Sequence, residues 1–317
     1  MNLQPSSETA AAITLFEHEA PDPFMALVHA SRPITGGAPE SVAPFPVPLN
    51  FLEFYGLANN PFADCVNPGF FFRTDAHSEA FRTLMLAVEF ETSVGLLTSP
   101  SGMGKTLVSQ LLLQQLNPHK YCAALVLVTP GMGKCGLLRE ILSELSVALP
   151  VGVPRVQELV KILSNQIIDL HREGKRLVLI VDESHLLSAD CLHIVRTISN
   201  IEIPACKLVT CLLFGEERLN SRLDHPSYES LRNRIYMRGS LPPLNVEDTA
   251  QYVKYRLMIA NRLAEIYTPQ ALAAIHRRSA GICRSINKLC MLSLIEGASR
   301  QQTLIDESLI ISCAARM

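Results

Sequence analysis

The residues best equipped for chemistry stand in SPSGMGKT at 99–106, between the apolar stretch VGLLT and the helical pattern LVSQLLLQQL. A glycine-rich turn from strand into helix aims backbone N–H groups and the positive end of the helix dipole at one point, which makes an anion site. Gly102 and Gly104, with Met103 between them, let the main chain approach phosphate groups closely. Lys105 can reach the terminal phosphates, and the Thr106 hydroxyl is an oxygen ligand suited to Mg²⁺. Ser99 opens the run and Leu107 follows it, so both join the expected nucleotide-binding set. The general pattern for such a cradle is GxxxxGK[ST]. Here Ser99 stands in place of its first glycine, while the residues that carry charge are all present.

A second run, RLVLIVDESHLL at 176–187, is an apolar strand ending in two carboxylates. An acid at the C-terminal end of a buried strand beside a phosphate loop can hold Mg²⁺, the role expected of Asp182. Glu183 would then act as general base on the attacking water. In this order, and about 75 residues apart, the two runs read as the Walker A and Walker B elements of a P-loop NTPase that uses ATP and Mg²⁺. His185 is expected to start the next helix or touch a neighbouring strand. A decoy, PGMGKC at 130–135, repeats Gly-Met-Gly-Lys but ends in Cys, a poor ligand for a hard cation, so it reads as a turn before a helix with Lys134 facing solvent.

The segment ESLRNRIYMRGSLPPL at 229–244 gathers Arg232, Arg234 and Arg238. A guanidinium offers a fixed fork of donors to phosphate oxygens, and an arginine from a neighbouring subunit can raise hydrolysis by about 10³–10⁵; a solvated basic edge is the alternative. In SAGICRSINKLC at 279–290, Gly281 is expected to break one helix and Arg284 to begin the next. A cation in a first helical turn opposes the local dipole, so Arg284 calls for an anionic partner, either a nucleotide or a carboxylate of the core.

These residues need a scaffold of alternating strands and helices. Periodicity predicts helices at 75–92, 104–116, 135–148, 155–173 and 188–199, and strands at 94–98, 123–128, 177–181 and 207–214. Strands separated by such helices make a parallel sheet covered on both faces. Beyond about 243 only helices are predicted, at 246–263, 268–278, 284–297 and 306–315. The expected division is a Pro/Ala-rich disordered tail over 1–48, with a short helix conceivable near 8–19, then an α/β nucleotide-binding domain over 49–243 and a helical lid over 244–317.

Composition narrows the class. The 317 residues are 48% hydrophobic and 18% charged, with a net charge of -2, which excludes collagen, coiled coil and wholesale disorder. Mean hydropathy is +0.20, yet no apolar run reaches the roughly 18 residues of a membrane span, and no secretory signal opens the chain. Nine cysteines without a CxxC pair argue against a disulfide framework or zinc site, and a cytoplasmic location is expected. The near-neutral total conceals a basic C-terminal part, nine Lys/Arg against four acids in 251–317, compatible with DNA contact.

With these motifs in place the chain resembles the AAA+ ATPases over about 51–300, and within them the general secretion pathway protein A type, which is similar to the exosortase-associated ATPases. The resemblance rests on FLEFYGLANNPF at 51–62, HSEAF at 77–81, SPSGMGKT, VLIVDESHLL, RTISNIE at 196–202, LLFGEERL at 212–219, the 231–257 segment and GICRSIN at 281–287. It implies a P-loop α/β domain with a helical lid, Mg·ATP in the cleft between them, ATP hydrolysis to remodel a partner, and assembly into homo-oligomers. It also implies Arg234 as the arginine finger, with Arg232 second, and Arg284 as the lid arginine. At the first-sensor strand end the family has Gly-Gln-Pro. Here Gly215 precedes Glu216 and Glu217, so the sensor position falls to Glu216, whose carboxylate needs a cationic partner beside a phosphate. Together with Ser99 this leaves room for slow hydrolysis, a nucleotide switch. The secretion members continue into a membrane span and this sequence ends after its lid, so the secretion role is not expected to transfer. Transposition target ATPases, which bind DNA, share the architecture.

Overall fold

Unbroken apolar runs form the interior strands, because in a parallel sheet covered on both faces every side chain is buried. The computed structural model describes residues 50–63, 68–150, 152, 155–204 and 206–317. The strands are β1 (Val94–Thr98), β2 (Tyr121–Leu127), β3 (Arg176–Asp182), β4 (Glu202–Ile203), β5 (Cys206–Lys207), β6 (Val209–Gly215) and β7 (Ile235–Ser240). Five of them make a parallel sheet in the order β2-β3-β6-β1-β7, while β4 and β5 form a small antiparallel hairpin. β1 and β6 are buried throughout.

Successive residues of a strand face opposite sides, and the interior strands accordingly feed two cores. Val178 and Ile180 of β3, with Leu212 and Phe214 of β6, pack on one side. Leu177, Leu179 and Val181, with Val209, Cys211 and Leu213, pack on the other. The first side is covered by α2 (Asp75–Glu89) and α3 (Lys105–Gln115), after a short α1 (Phe51–Tyr55). The second is covered by α4 (Lys134–Glu144), α5 (Val156–Arg172) and α6 (Ala189–Ile198), joined by the short α7 (Arg218–Leu223) and α8 (Glu229–Arg232). Each fully buried Leu, Ile or Val contributes about 1.5–3 kcal/mol relative to exposure.

After β7 comes an all-helical region: α9 (Val246–Ile259), α10 (Pro269–Ser279), α11 (Cys283–Ser299) and α12 (Glu307–Ala314). Side-chain oxygens of Asn245, Thr268 and Asp306 accept N–H bonds at three of these helix starts. Its apolar faces join the same core as α2 and α3, through Leu241, Leu244, Tyr252 and Ile286. Gly281, at φ +73, lets the chain pass so close that a Cβ there would lie 2.1 Å from the Leu244 carbonyl oxygen. α1 also belongs to this assembly: Tyr55 Oη donates to the Gln302 carbonyl at 2.8 Å.

Several expectations need adjustment. β7 was not anticipated, nor was the β4–β5 hairpin. The helices predicted to end at 92, 148 and 263 stop at Glu89, Glu144 and Ile259. Shortly after each stop a non-glycine residue turns left-handed: Glu91, Ser146 and Asn261. The expected tail over 1–48 and the helix near 8–19 lie outside the described residues. Among the described residues no helix is long and apolar enough to cross a membrane, and the eight described cysteines are free.

Candidate functional site

Parallel pairing brings the C-terminal ends of β1, β6 and β3 to one edge of the sheet, where α/β folds hold their ligands. β6 lies between β1 and β3, so the loop after β1, the acid pair after β3 and the Glu216 turn after β6 stand side by side.

The glycine-rich loop after β1 is shaped by two left-handed residues, Gly102 at φ +82 and Gly104 at φ +93. Gly104 precedes α3, no side chain caps that helix start, and the residues of its first turn line the cleft. Gly102 is also packed tightly: a Cβ there would stand 2.7 Å from Arg284 Cβ. Met103 is buried, which anchors the loop to the core beneath α3. Lys105 folds back over the loop, and its Nζ donates to Ser99 Oγ at 3.3 Å and to the Pro100 carbonyl at 3.2 Å. Ser99 is buried and its hydroxyl donates to the Pro100 carbonyl. The serine in place of the pattern's glycine thus helps hold the lysine.

Thr106 Oγ1 donates to Asp182 Oδ2 at 2.7 Å, joining the start of α3 to the end of β3. A hydroxyl and a carboxylate oxygen so close together are hard donors of the sort Mg²⁺ prefers, and Asp182 is almost wholly buried. The residues present therefore fit that cation. Asp182 Oδ1 accepts the Glu183 N–H at 2.8 Å, and Glu183 occupies the left-handed region at φ +55, a conformation costing roughly 1–2 kcal/mol for a side-chain-bearing residue. This turn directs Glu183 toward the cleft, where it lies with Lys105 and Thr106.

Burial lowers the Lys105 pKa below its ordinary value; Glu183, Asp182 and Glu216 oppose that shift and the Arg284 cation adds to it. The negative charge of a bound polyanion would favour the ammonium form and so offset both the desolvation penalty and the repulsion between the two cations. Arg284, in the first turn of α11, has its backbone N–H on the Gly102 carbonyl at 3.1 Å and its guanidinium on Ser101 Oγ at 3.4 Å. The helical region thus touches the glycine-rich loop directly.

The cleft measures about 380 Å³, within the range of small-molecule sites. Ser101, Gly102, Met103, Gly104, Lys105, Thr106, Leu107, Glu183 and Arg284 line its polar end. Its other end was not read from the sequence: Phe70, Phe71 and Phe72 meet Tyr252, Arg256 and Cys283 there. The Arg256 guanidinium lies 4.7 Å from the Phe70 ring centre and donates to the Pro61 carbonyl. His77 is fixed by Thr74 Oγ1 at 2.7 Å and touches the Phe71 ring edge-on. The unread signal was the GFFFR run at 69–73, three consecutive aromatics just before a helix start.

Two of the expected residues stand apart from the cleft. Arg234 donates to Asn200 Oδ1 at 2.7 Å and to Ser230, and Arg232 to the Asp224 carbonyl at 3.2 Å. Neither lines the cleft of its own chain. Glu216 has the cation it requires, since Arg218 Nε lies 3.1 Å from its carboxylate. His185 does contact a neighbouring strand end, through the Glu216 N–H. Lys134 faces solvent as expected, its side chain 42% exposed, and pairs there with the exposed Asp190 at 3.0 Å.

A family model described as an AAA domain matches residues 88–223. The general secretion pathway protein A of Aeromonas hydrophila is 33% identical over 254 residues, covering 79% of this chain and 45% of that protein. The chain thus spans less than half the length of this curated relative. The solved Aeropyrum pernix ORC2 protein, in ADPNP-ADP complexes, superposes with a TM-score of 0.60 at 16% identity, covering 81% of this chain and 71% of that one. ORC1 of the same organism, in complex with DNA, gives 0.58 at 18% identity, covering 82% and 69%. These two likenesses are of fold. Taken with the family match and the curated relative, they establish that the chain carries an AAA+ ATPase domain related to that of general secretion pathway protein A.

Proposed function

We propose that the cleft binds Mg·ATP and that the chain hydrolyses it to ADP and phosphate, using the energy to remodel an oligomer or a partner protein. The observation that carries this reading is the Thr106–Asp182 contact at 2.7 Å, with Lys105, Glu183 and Arg284 in the same cleft. Lys105 and the α3 N–H groups would hold the phosphates, and the aromatic end around Phe70 and Tyr252 would take the adenine. Thr106 and Asp182 would hold Mg²⁺, which supplies charge neutralisation at the phosphates. Glu183 would take a proton from the attacking water as its oxygen bonds to phosphorus and the bond to the ADP oxygen breaks. Arg284 would report the phosphates to the helical region.

Arg234, and after it Arg232, would act on the nucleotide of a neighbouring copy; their position away from their own cleft supports a role in trans and hence a homo-oligomer. A cytoplasmic setting belongs to the same proposal. ATP turnover tests it: Lys105→Ala and Asp182→Asn should each remove turnover, and unchanged rates in both would refute the assignment.

A second reading, a slow switch that works by assembly, draws on Ser99 in place of the pattern's glycine and on the carboxylate of Glu216 at the end of β6. Turnover measured beside ATP-dependent sedimentation separates the two: rapid hydrolysis by a particle of constant size removes the switch. DNA as partner draws on the charge of 251–317 and on the DNA complex of the ORC1 likeness. Most of that charge is engaged internally, however. Lys254, Arg277, Arg300 and Arg316 form ion pairs and Arg256 is buried. ATP-dependent, salt-sensitive retention on duplex DNA is the observation this reading needs.

A further inference from the structure

His185 is buried beneath two carboxylates, with its side chain 3% exposed. Its Nδ1 lies 3.2 Å from the Glu216 backbone nitrogen and 3.3 Å from Glu183 Oε2, and its Nε2 lies 3.8 Å from Glu216 Oε1. A peptide N–H can only donate, so while this bond stands Nδ1 is an acceptor and the ring proton of the neutral imidazole is on Nε2. A ring nitrogen has one in-plane lone pair. In this arrangement Nδ1 therefore has nothing to donate to the Glu183 carboxylate, which is held off rather than gripped. Were the Glu216 peptide to withdraw, the ring proton could be exchanged from Nε2 to Nδ1 with no change of charge, and Nδ1 could donate to Glu183. One nitrogen serves two partners, one at a time.

The surroundings make this a precise device. The turn Ser184–Leu186 that carries the ring is stapled to β6, because Ser184 Oγ donates to the Phe214 carbonyl at 2.7 Å. Arg222 donates to the His185 carbonyl at 3.3 Å. Gly215 leaves no room to spare, since a Cβ there would lie 3.1 Å from Ser184 Oγ and 3.3 Å from His185 N. Small shifts at the end of β6 must therefore be felt at the imidazole. β6 lies directly between the strand that leads into the phosphate loop and the strand that carries Asp182 and Glu183.

We propose that His185 is a positioning residue for Glu183, and that its ring grips or releases the Glu183 carboxylate according to whether the Glu216 peptide occupies Nδ1. The proposal rests on Glu183 serving as the base. It gives Glu216, anomalous as a sensor carboxylate, a place in the coupling: its peptide sets the imidazole, while Arg218 balances its charge.

The test uses the full chain and measures kcat and KM for ATP, together with Mg²⁺-dependent binding of a non-hydrolysable ATP analogue. His185→Phe keeps a ring and removes both nitrogens. His185→Asn places an amide near the Nδ1 position, and His185→Gln places one near Nε2. Expected are a kcat lowered about 10- to 100-fold in the Phe variant with analogue affinity held within about twofold, more activity in the Asn than in the Gln variant, and no further loss when His185→Phe is added to Glu183→Gln. Wild-type kcat in the Phe variant, or losses that multiply in the double variant, would overturn the proposal. So would Gln equal to or better than Asn, a comparison that decides the matter even if the Phe variant does not fold. Wild-type turnover in Glu183→Gln alone removes the parent reading; a dead Glu183→Gln beside a fully active His185→Phe removes only this one.

Discussion

The chain contains Gly-Met-Gly-Lys twice, at 102–105 and at 131–134, and the two copies have different fates. Each follows a parallel strand and leads into a helix. The first leaves β1, which has strands on both sides; the second leaves β2, at the edge of the sheet. In the first copy both glycines are left-handed; in the second Gly131 is at φ +83 but Gly133 is extended, at φ -92 and ψ 175. Lys105 turns inward over Ser99 and Pro100, whereas Lys134 reaches outward to Asp190. The next residue settles the chemistry. Thr106 meets Asp182, and Cys135 offers no hard oxygen in its place. The tetrapeptide alone does not set its surroundings; an interior strand, a second left-handed glycine and a hydroxyl opposite a buried acid are what distinguish the first copy.

Breaking the two lysines should separate the loops most. Lys105→Ala removes charge-assisted hydrogen bonds worth about 1.5–3 kcal/mol each to a phosphate, so Mg·ATP affinity should fall at least about tenfold. Lys134→Ala should leave affinity unchanged. Fluorescence titration of a labelled ATP analogue reads both, and equal losses would erase the distinction. The glycines come next. Gly102→Ala meets Arg284 Cβ at 2.7 Å and must also hold a left-handed backbone, whereas Gly131→Ala carries the backbone cost but has nothing within 4 Å. The first should weaken nucleotide binding and lower the melting temperature; the second should cost only about 1–2 kcal/mol of stability and leave binding intact, as thermal melts with and without nucleotide would show.

The smallest effect is one of pH. Burial sets the folded-state pKa of Lys105 below 10.5. Between that lowered value and 10.5 the unfolded chain holds more protons, so this group makes stability rise with pH across that window. Compared with Lys105→Met, the nucleotide-free wild type should show this rise, and Lys134→Met should keep it. Denaturant melts across the alkaline range would detect it; identical slopes in the wild type and Lys105→Met would contradict the burial argument.

The interior of the fold was legible because β1, β3 and β6 are unbroken apolar runs, a pattern only strands buried on both faces need. β7 escaped notice because it is an edge strand whose buried and exposed residues alternate, with Arg238 and Gly239 in its second half. Those residues read as a basic segment rather than a strand. Helix ends were overrun where the stop is a left-handed Glu91, Ser146 or Asn261: Glu and Ser do not announce such a turn as glycine does, whereas Asn261 is a residue type that tolerates it and was a signal passed over. In the site, the meeting of Lys105, Thr106 and Asp182 was legible from two motifs, a glycine-rich turn between strand and helix and an acid at the end of an apolar strand, and Arg284 from the misfit of a cation in a first helical turn. The aromatic end of the cleft did not, because Phe70–Phe72 and Tyr252 are separated by about 180 residues and no local spacing joins them. The pairing of Glu216 with Arg218 and His185 was likewise a matter of side-chain direction, which composition does not record.

The central claim is that Glu183 activates water on a nucleotide held by the Lys105 loop. It is tested most directly by phosphate release from Mg·ATP, measured for Glu183→Gln beside the wild type in the same assay that scores bound nucleotide. The account predicts that Glu183→Gln retains ATP while phosphate release falls about 10²–10⁴-fold. Release at the wild-type rate with ATP still bound would contradict it.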